Sequence, residues 1–419
     1  MNRVRVLLPG CAAGPDLRCR NPCFVKRPVP EKASSHPVIQ IRDKINQAFS
    51  SFTPNEEPMP SLSPQAVKDY LEAFYGQQVR LISMTHHGAQ EEGDDLKGFG
   101  YGSPLFLEYE TAGERKRAVL ETMAPSTFGH EHYADRAQTI LWEHRAFNTL
   151  PRHVRSLDSG AFLDSGEMIS TGRTEEFFLL TEFADGVGYF KDLEKIRDKG
   201  SMNVIDAKRV QALADYLVEV HAQKKDEPSL YTRRIRELLG HGECIMGLID
   251  NYPKKIESID DTYLRRLEMS CVAWRWRIKD RSHRLCRVHG DFHPWNILFR
   301  EAADFTVLDR SRGEWGEPAD DTATLTINYL FFSLQRSNKL EGDFEKMFRL
   351  FWEHYLAGTA DNEMLDVIAP FLAWRGLVIA SPVWYPHLPV AVRRSIFTFA
   401  ENVLAAERFD PEDVNRYLR

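Results

Sequence analysis

This 419-residue sequence lacks several features that would place it quickly. No stretch approaches the roughly 20 uninterrupted apolar residues that a membrane-spanning helix needs. The expectation is a soluble, cytoplasmic chain with no membrane partner. There is no excess of positive charge: 54 Lys and Arg stand against 61 Asp and Glu, for a net charge of −7. That leaves no overall basic footprint for nucleic acid, and small molecules are the expected partners. The cysteines, Cys11, Cys19, Cys23, Cys244, Cys271 and Cys286, include no C-x-x-C pair of the kind that marks a zinc site. They read as reduced, structural thiols. There is no internal repeat, and nothing in the sequence sets the oligomeric state.

The first 32 residues carry seven Lys or Arg and two acids around a short apolar stretch at 4–8. That stretch is too short for the apolar region of a secretory signal. LPGC at 8–11 resembles a lipid-attachment site, but its proline and the weak apolar region favour ordinary chain. Residues 1–62, rich in Pro and Ser toward their end, read as a flexible tail.

With 43% hydrophobic and 11% aromatic residues, the chain can bury a large core in two or three domain-sized units. From Ser63 the pattern turns periodic. Residues 63–75 have a Ser N-cap, Pro at the first helical position and apolar residues at helical spacing, which predicts a helix. Residues 79–84, 103–109, 117–123 and 177–181 read as strands, with a helix over 134–147 between the last two. That order predicts a small α+β lobe over 63–184. Helical patterns dominate afterwards, as in 204–221, and predict a larger, mainly helical lobe over 185–419.

HGDFHPWN at 289–296 breaks two apolar runs with Gly, Pro and polar side chains, so it reads as an irregular loop on a rigid base. Residues 296–300 and 305–309 then read as a hairpin. A turn centred between Ala302 and Ala303 sets Asn296 across from Asp309, at the end that carries Asp291. An amide oxygen beside a carboxylate, with coordination left for water and phosphate, suits the Mg²⁺ that accompanies a nucleotide. Asp291 is then placed to accept the proton of an attacking hydroxyl, and the H-x-D-x-x-x-x-N spacing is that of the kinase catalytic loop. Two other readings stay open at this point. Asp291 caps a turn while His289 fills a core, or His289, Asp291 and His293 form a hydrolytic metal cluster.

These residues, followed by VLD at 307–309 and GEPADDTAT at 316–324, resemble the aminoglycoside phosphotransferase and choline kinase family over roughly 65–400. The resemblance implies a bilobal, protein-kinase-like α+β fold and an ATP- and Mg²⁺-dependent transfer of phosphate to a small-molecule hydroxyl. It implies Asp291 as catalytic base, His289 as a brace for the loop, Asn296 and Asp309 as Mg²⁺ ligands, and Asp321 as the holder of the loop backbone. KGFGYGS at 97–103 resembles a phosphate-covering loop, in which Lys97, Gly98, Gly100 and Gly102 would meet the nucleotide. Glu143 would supply the carboxylate that normally pairs with a strand lysine, and Glu182 and Ala184 in the hinge would bond adenine. Here the sequence departs from the family, because Glu121 stands at the lysine position. Lys97 or Arg117 is the substitute cation, or the chain is a nucleotide-binding pseudokinase with a regulatory role. Trp374 and residues 381–386 offer aromatic surface for an acceptor.

Overall fold

The computed structural model describes residues 62–86, 104–126, 128–254, 256 and 259–419. Residues 1–61 of the expected tail lie outside the described residues, as do Lys97, Gly98, Gly100 and Gly102.

The first lobe begins with α1, Pro64–Tyr75. The Ser63 hydroxyl accepts from the Ala66 amide, Pro64 takes the first helical position, and Gly76 closes the helix at φ 66° with its N–H on the Glu72 carbonyl. Val67 and Leu71 of this helix pack with Leu105, Leu107 and Tyr109 of an antiparallel sheet in the order β1 (Val79–His86), β2 (Leu105–Thr111), β3 (Glu114–Leu120). Ala112 and Gly113, at φ 50° and 78°, form the two-residue turn between β2 and β3. A turn with both central residues left-handed matches the twist of the strands it joins.

β3 ends where its partner begins, at the Leu105–Leu120 pair. The strand expected over 117–123 is thus earlier in the chain, and Glu121 lies just past it. Helix α2, Tyr133–Phe147, follows; it is capped reciprocally by His132 and Asp135 and buries none of its residues. A small hairpin, β4 (Gly160–Phe162) with β5 (Met168–Ser170), closes this part.

The strand expected over 177–181 does not form. Phe178 is 93% and Leu180 88% exposed, and among the described residues none pairs with this segment. A continuous apolar run satisfies the composition of a buried strand, but a strand also needs a partner edge.

The second lobe is helical: α3 (Phe190–Lys199), α4 (Val204–His221), α5 (Pro228–Gly240), α6 (Ile245–Asp250), α7 (Asp261–Ile278), α8 (Ala319–Leu334), α9 (Gly342–Thr359), α10 (Met364–Val367), α11 (Ala369–Ala380) and α12 (Val390–Ala405). α8 buries every residue except Asp320, as a helix enclosed on all sides must. One apolar core runs from Tyr189 to Tyr417 around it and includes Trp352 and Trp374. With one core under the sheet and another among the helices, the fold is α+β and bilobal, of the protein-kinase-like kind.

Two short sheets set up the loop of interest. β7 (Cys286–Arg287) pairs with β10 (Trp315–Gly316), and β8 (Ile297–Phe299) lies between β6 (Val187–Gly188) and β9 (Phe305–Val307). The hairpin forms, but its register differs from expectation: Ile297 faces Val307, and the Leu308 amide bonds to the Asn296 carbonyl at 2.8 Å. Arg300 bonds to Asp304 across a three-residue loop in which Ala302 is left-handed at φ 53°. An odd-length loop centred on Ala302 shifts every pair by one position relative to a two-residue turn. Asn296 therefore lies across from Leu308, not Asp309.

Candidate active site

The loop at 289–296 is held from below by one carboxylate. Asp321, in the first turn of α8, accepts the His289 amide on Oδ2 at 2.8 Å and the Gly290 amide on Oδ1 at 2.7 Å. His221, at the end of α4, meets Asp321 Oδ2 through Nε2 at 3.1 Å and Tyr355 Oη through Nδ1 at 2.8 Å. A neutral ring protonated on Nε2 satisfies both contacts. Burial raises the pKa of Asp321, but the His221 bond and the amide of His289 outweigh it, so the carboxyl sits below its usual range. Gly290 has φ 84°, and a Cβ there would meet Arg312 Cβ at 3.3 Å. Only glycine takes that backbone without strain.

His289 is buried, and its Nδ1 accepts from the Asp291 amide at 3.2 Å. Burial holds its proton affinity below normal. The next residue projects its carboxylate toward α11. Asp291 Oδ1 accepts from Arg375 Nη1 at 2.6 Å, while Oδ2 lies 3.5 Å from His293 Nε2. Burial works against ionisation of Asp291, but His293, Arg375 and Arg312 overcome it and hold the carboxyl well below the usual range. His293 also accepts the Trp295 amide on Nδ1 at 3.2 Å, and so shapes the short turn Pro294–Asn296.

Asn296 donates from Nδ2 to the Asp291 carbonyl at 3.1 Å. With its nitrogen so used, Oδ1 is the atom left to face a cation. Asp309 is exposed and left-handed at φ 55°. No hydrogen bond or ion pair engages its carboxylate among the described residues. One amide oxygen and one unspent carboxylate fit Mg²⁺ arriving with phosphate and water, although the register does not pair the two residues directly. His289, Asp291 and His293 do not make the hydrolytic cluster: no group of three or more His, Cys, Asp or Glu among the described residues is arranged to hold a metal.

The remaining expected residues stand apart from this loop. Arg117 lies exposed on β3 opposite Glu108. Glu182 and Ala184 lie in irregular chain before β6. Among the described residues, no hydrogen bond or ion pair ties any of these three to the loop. Glu143, on α2, lies near Glu121: burial, and then the Glu121 charge, raise its pKa above normal. Two carboxylates thus occupy the place where the family resemblance has a lysine and a glutamate.

Sequence reading missed Arg375 and His221. Arg375 is the single charge in the apolar helix α11, and a lone arginine in such a run is rarely buried without a partner. That was the available signal. His221 ends α4 and carried none. Trp374, expected to offer surface to an acceptor, is buried in the core and donates from Nε1 to the Glu243 carbonyl at 3.1 Å.

The sequence profile of the phosphotransferase enzyme family matches residues 113–347, and the chain belongs to that family. Comparison with curated proteins gives no match. Among solved structures, the chain is similar to a glucosamine kinase in complex with glucosamine, ADP and inorganic phosphate, at 16% identity over 49% of this chain and 58% of that one, with a TM-score of 0.33. An ethanolamine kinase of Plasmodium vivax is 14% identical over 93% and 94% of the two chains, with a TM-score of 0.31. A choline kinase from Cryptosporidium parvum Iowa II is 12% identical over 90% and 92%, with a TM-score of 0.30. The match thus spans little more than half the length of the glucosamine kinase. Likeness at this level assigns no substrate.

Proposed function

We propose that this phosphotransferase family member moves the γ-phosphoryl group of ATP to a hydroxyl of a small molecule in the cytoplasm, with lobes at 63–184 and 185–419. The observation that carries this reading is the Asp321 clamp on the His289 and Gly290 amides, which presents Asp291 and Asn296 from one rigid loop. Asp291 orients the acceptor hydroxyl and takes its proton. Its depressed pKa makes it a weak base, which suits a loose transition state that asks for positioning before proton removal. His289 braces the loop through the Asp291 amide. Asn296 and Asp309 would hold Mg²⁺, which would offset the negative charge of the nucleotide phosphates. The glycine-rich segment and Lys97 or Arg117 supply the phosphate contacts, and Glu182 and Ala184 meet the base of the nucleotide.

The test is acceptor-stimulated ADP release across a metabolite library. Asp291→Asn should lower turnover by about 10²–10⁴, the range of general acid–base catalysis, with Mg-ATP affinity retained by calorimetry. Asp309→Ala should weaken Mg-dependent nucleotide binding itself. Unchanged turnover in Asp291→Asn would remove Asp291 from its role. A second reading, a nucleotide-binding pseudokinase, is favoured by the carboxylate pair at Glu121 and Glu143; binding of Mg-ATP with no turnover on any acceptor or on water would select it.

A further inference from the structure

The guanidinium of Arg375 lies beside the proposed base. Its side chain is 6% exposed. Nη1 donates to Asp291 Oδ1 at 2.6 Å, and Nη2 donates to Asp320 Oδ1 at 2.6 Å and to the Gly290 carbonyl at 3.0 Å. Its carbon lies 3.8 Å from the centre of the Trp374 ring, and Arg312 stands over the same ring at 4.6 Å. Trp374 is itself pinned by the Glu243 carbonyl. A planar fork with one face against a fixed aromatic ring and both terminal nitrogens bonded, to three oxygens in all, has a single orientation.

We infer that Arg375 is a positioning residue for phosphoryl transfer: it fixes the Asp291 carboxylate by Oδ1, so that Oδ2 is the oxygen that receives the acceptor hydroxyl. The inference rests on the phosphotransfer reading of Asp291. Two features of the geometry support it. Arg375 holds both ends of one loop unit, the Gly290 carbonyl and the Asp291 carboxylate, so carboxylate and backbone move together. Asp320 anchors the guanidinium from the rigid first turn of α8, next to Asp321, which grips the same loop from the amide side. The loop is therefore held by donors on one side and an acceptor on the other, and its outward oxygen is set without any part of the acceptor. Lysine at this position would keep the charge but lose the fork that reaches Asp291 and Asp320 together.

The test uses the full chain with Mg-ATP and water as acceptor, read as ADP release, alongside calorimetric affinity for Mg-ADP. Arg375→Lys and Arg375→Ala should each lower kcat, the latter by about 10²-fold, as expected for a reacting group displaced by about 1 Å. KM for ATP and Mg-ADP affinity should stay within about twofold, since the nucleotide ligands are untouched. Millimolar guanidinium should restore part of the turnover of Arg375→Ala. Should Arg375→Ala fail to fold, Arg375→Lys, which keeps a positive charge beside the two carboxylates, decides the matter through its kcat against KM split. If Asp291→Asn is inactive while the Arg375 variants turn over like the parent, or lose kcat and nucleotide affinity together without rescue, the positioning role is overturned and the base assignment stands. If the parent releases no ADP with water or with any acceptor of the metabolite library, or Asp291→Asn matches it, the phosphotransfer reading falls and this inference with it.

Discussion

At the scale of single residues, the sharpest departure from the family pattern is Glu121. Where a lysine would draw in Glu143, burial and then the charge of a second carboxylate raise the pKa of Glu143. Glu121→Lys should replace repulsion with attraction. The expected outcome is a higher melting temperature and tighter Mg-ATP binding. The stability gain should be largest at neutral pH, where Glu143 is ionised, and should shrink on acidification as Glu143 takes up its proton. A melting series from pH 7 to pH 4 checks the sign. A variant that is no more stable than the parent at pH 7 would mean that another cation already compensates the pair.

At the scale of elements, the loop leading into α8 depends on a buried charge network behind the site. Arg284, 3% exposed, bonds Glu317 through Nη2 at 2.7 Å and Asp361 through Nη1 at 2.7 Å, and Tyr231 donates to Glu317 at 2.7 Å. Removing one partner of such a pair costs about 3–5 kcal/mol, because it leaves the other charge buried alone. Arg284→Met should therefore destabilise strongly. Burial raises the pKa of Asp361, but the Arg284 bonds and charge lower it by more, to a net value below normal. A carboxyl depressed in the folded state contributes its stability above its unfolded value, about 3.9, and loses it as pH falls through the folded value. Parent and Asp361→Asn should thus differ by a constant amount from pH 7 to pH 5, and the gap should close as pH drops below about 4. Urea midpoints across that range test this. A gap that widens on acidification would reverse the sign and remove Asp361 from the network.

At the scale of the whole molecule, two apolar cores are linked by polar contacts. Helix α2 buries nothing of its own, and its N-terminal end is held by Arg233 of α5, which donates to Asp135 Oδ2 at 2.6 Å and Glu131 Oε2 at 2.8 Å. Bonds to charged groups contribute about 1.5–3 kcal/mol each, so Arg233→Ala should speed amide exchange across 133–147 by about tenfold or more. Exchange in α8 should not change, because its burial does not involve Arg233. If α2 keeps parental exchange rates, some contact other than this clamp secures it.

The local elements were legible because their causes are local. Ser63, Pro64 and Gly76 carry the start and stop of α1 in the residues themselves, and the alternation of Leu105, Leu107 and Tyr109 marks one buried face of β2. The loop at 289–296 was legible as an irregular polar loop from its own residues, and Asp321 as its holder came from the resemblance to the phosphotransferase family. The hairpin register was not, because a one-residue change in loop length costs little locally and is decided by how Ala302 and Asp309 turn. The run at 177–181 has strand composition, but pairing requires an edge that composition does not supply. Arg375 reaches Asp291 across 84 positions, and His221 reaches Asp321 across 100. Residue type and local spacing determined by themselves that a polar, glycine-bearing loop would present Asp291 and Asn296 beside a hairpin. Only the tertiary structure decided which charges surround that carboxylate, because a buried charge takes the partner that packing brings within about 3 Å, wherever in the chain it comes from.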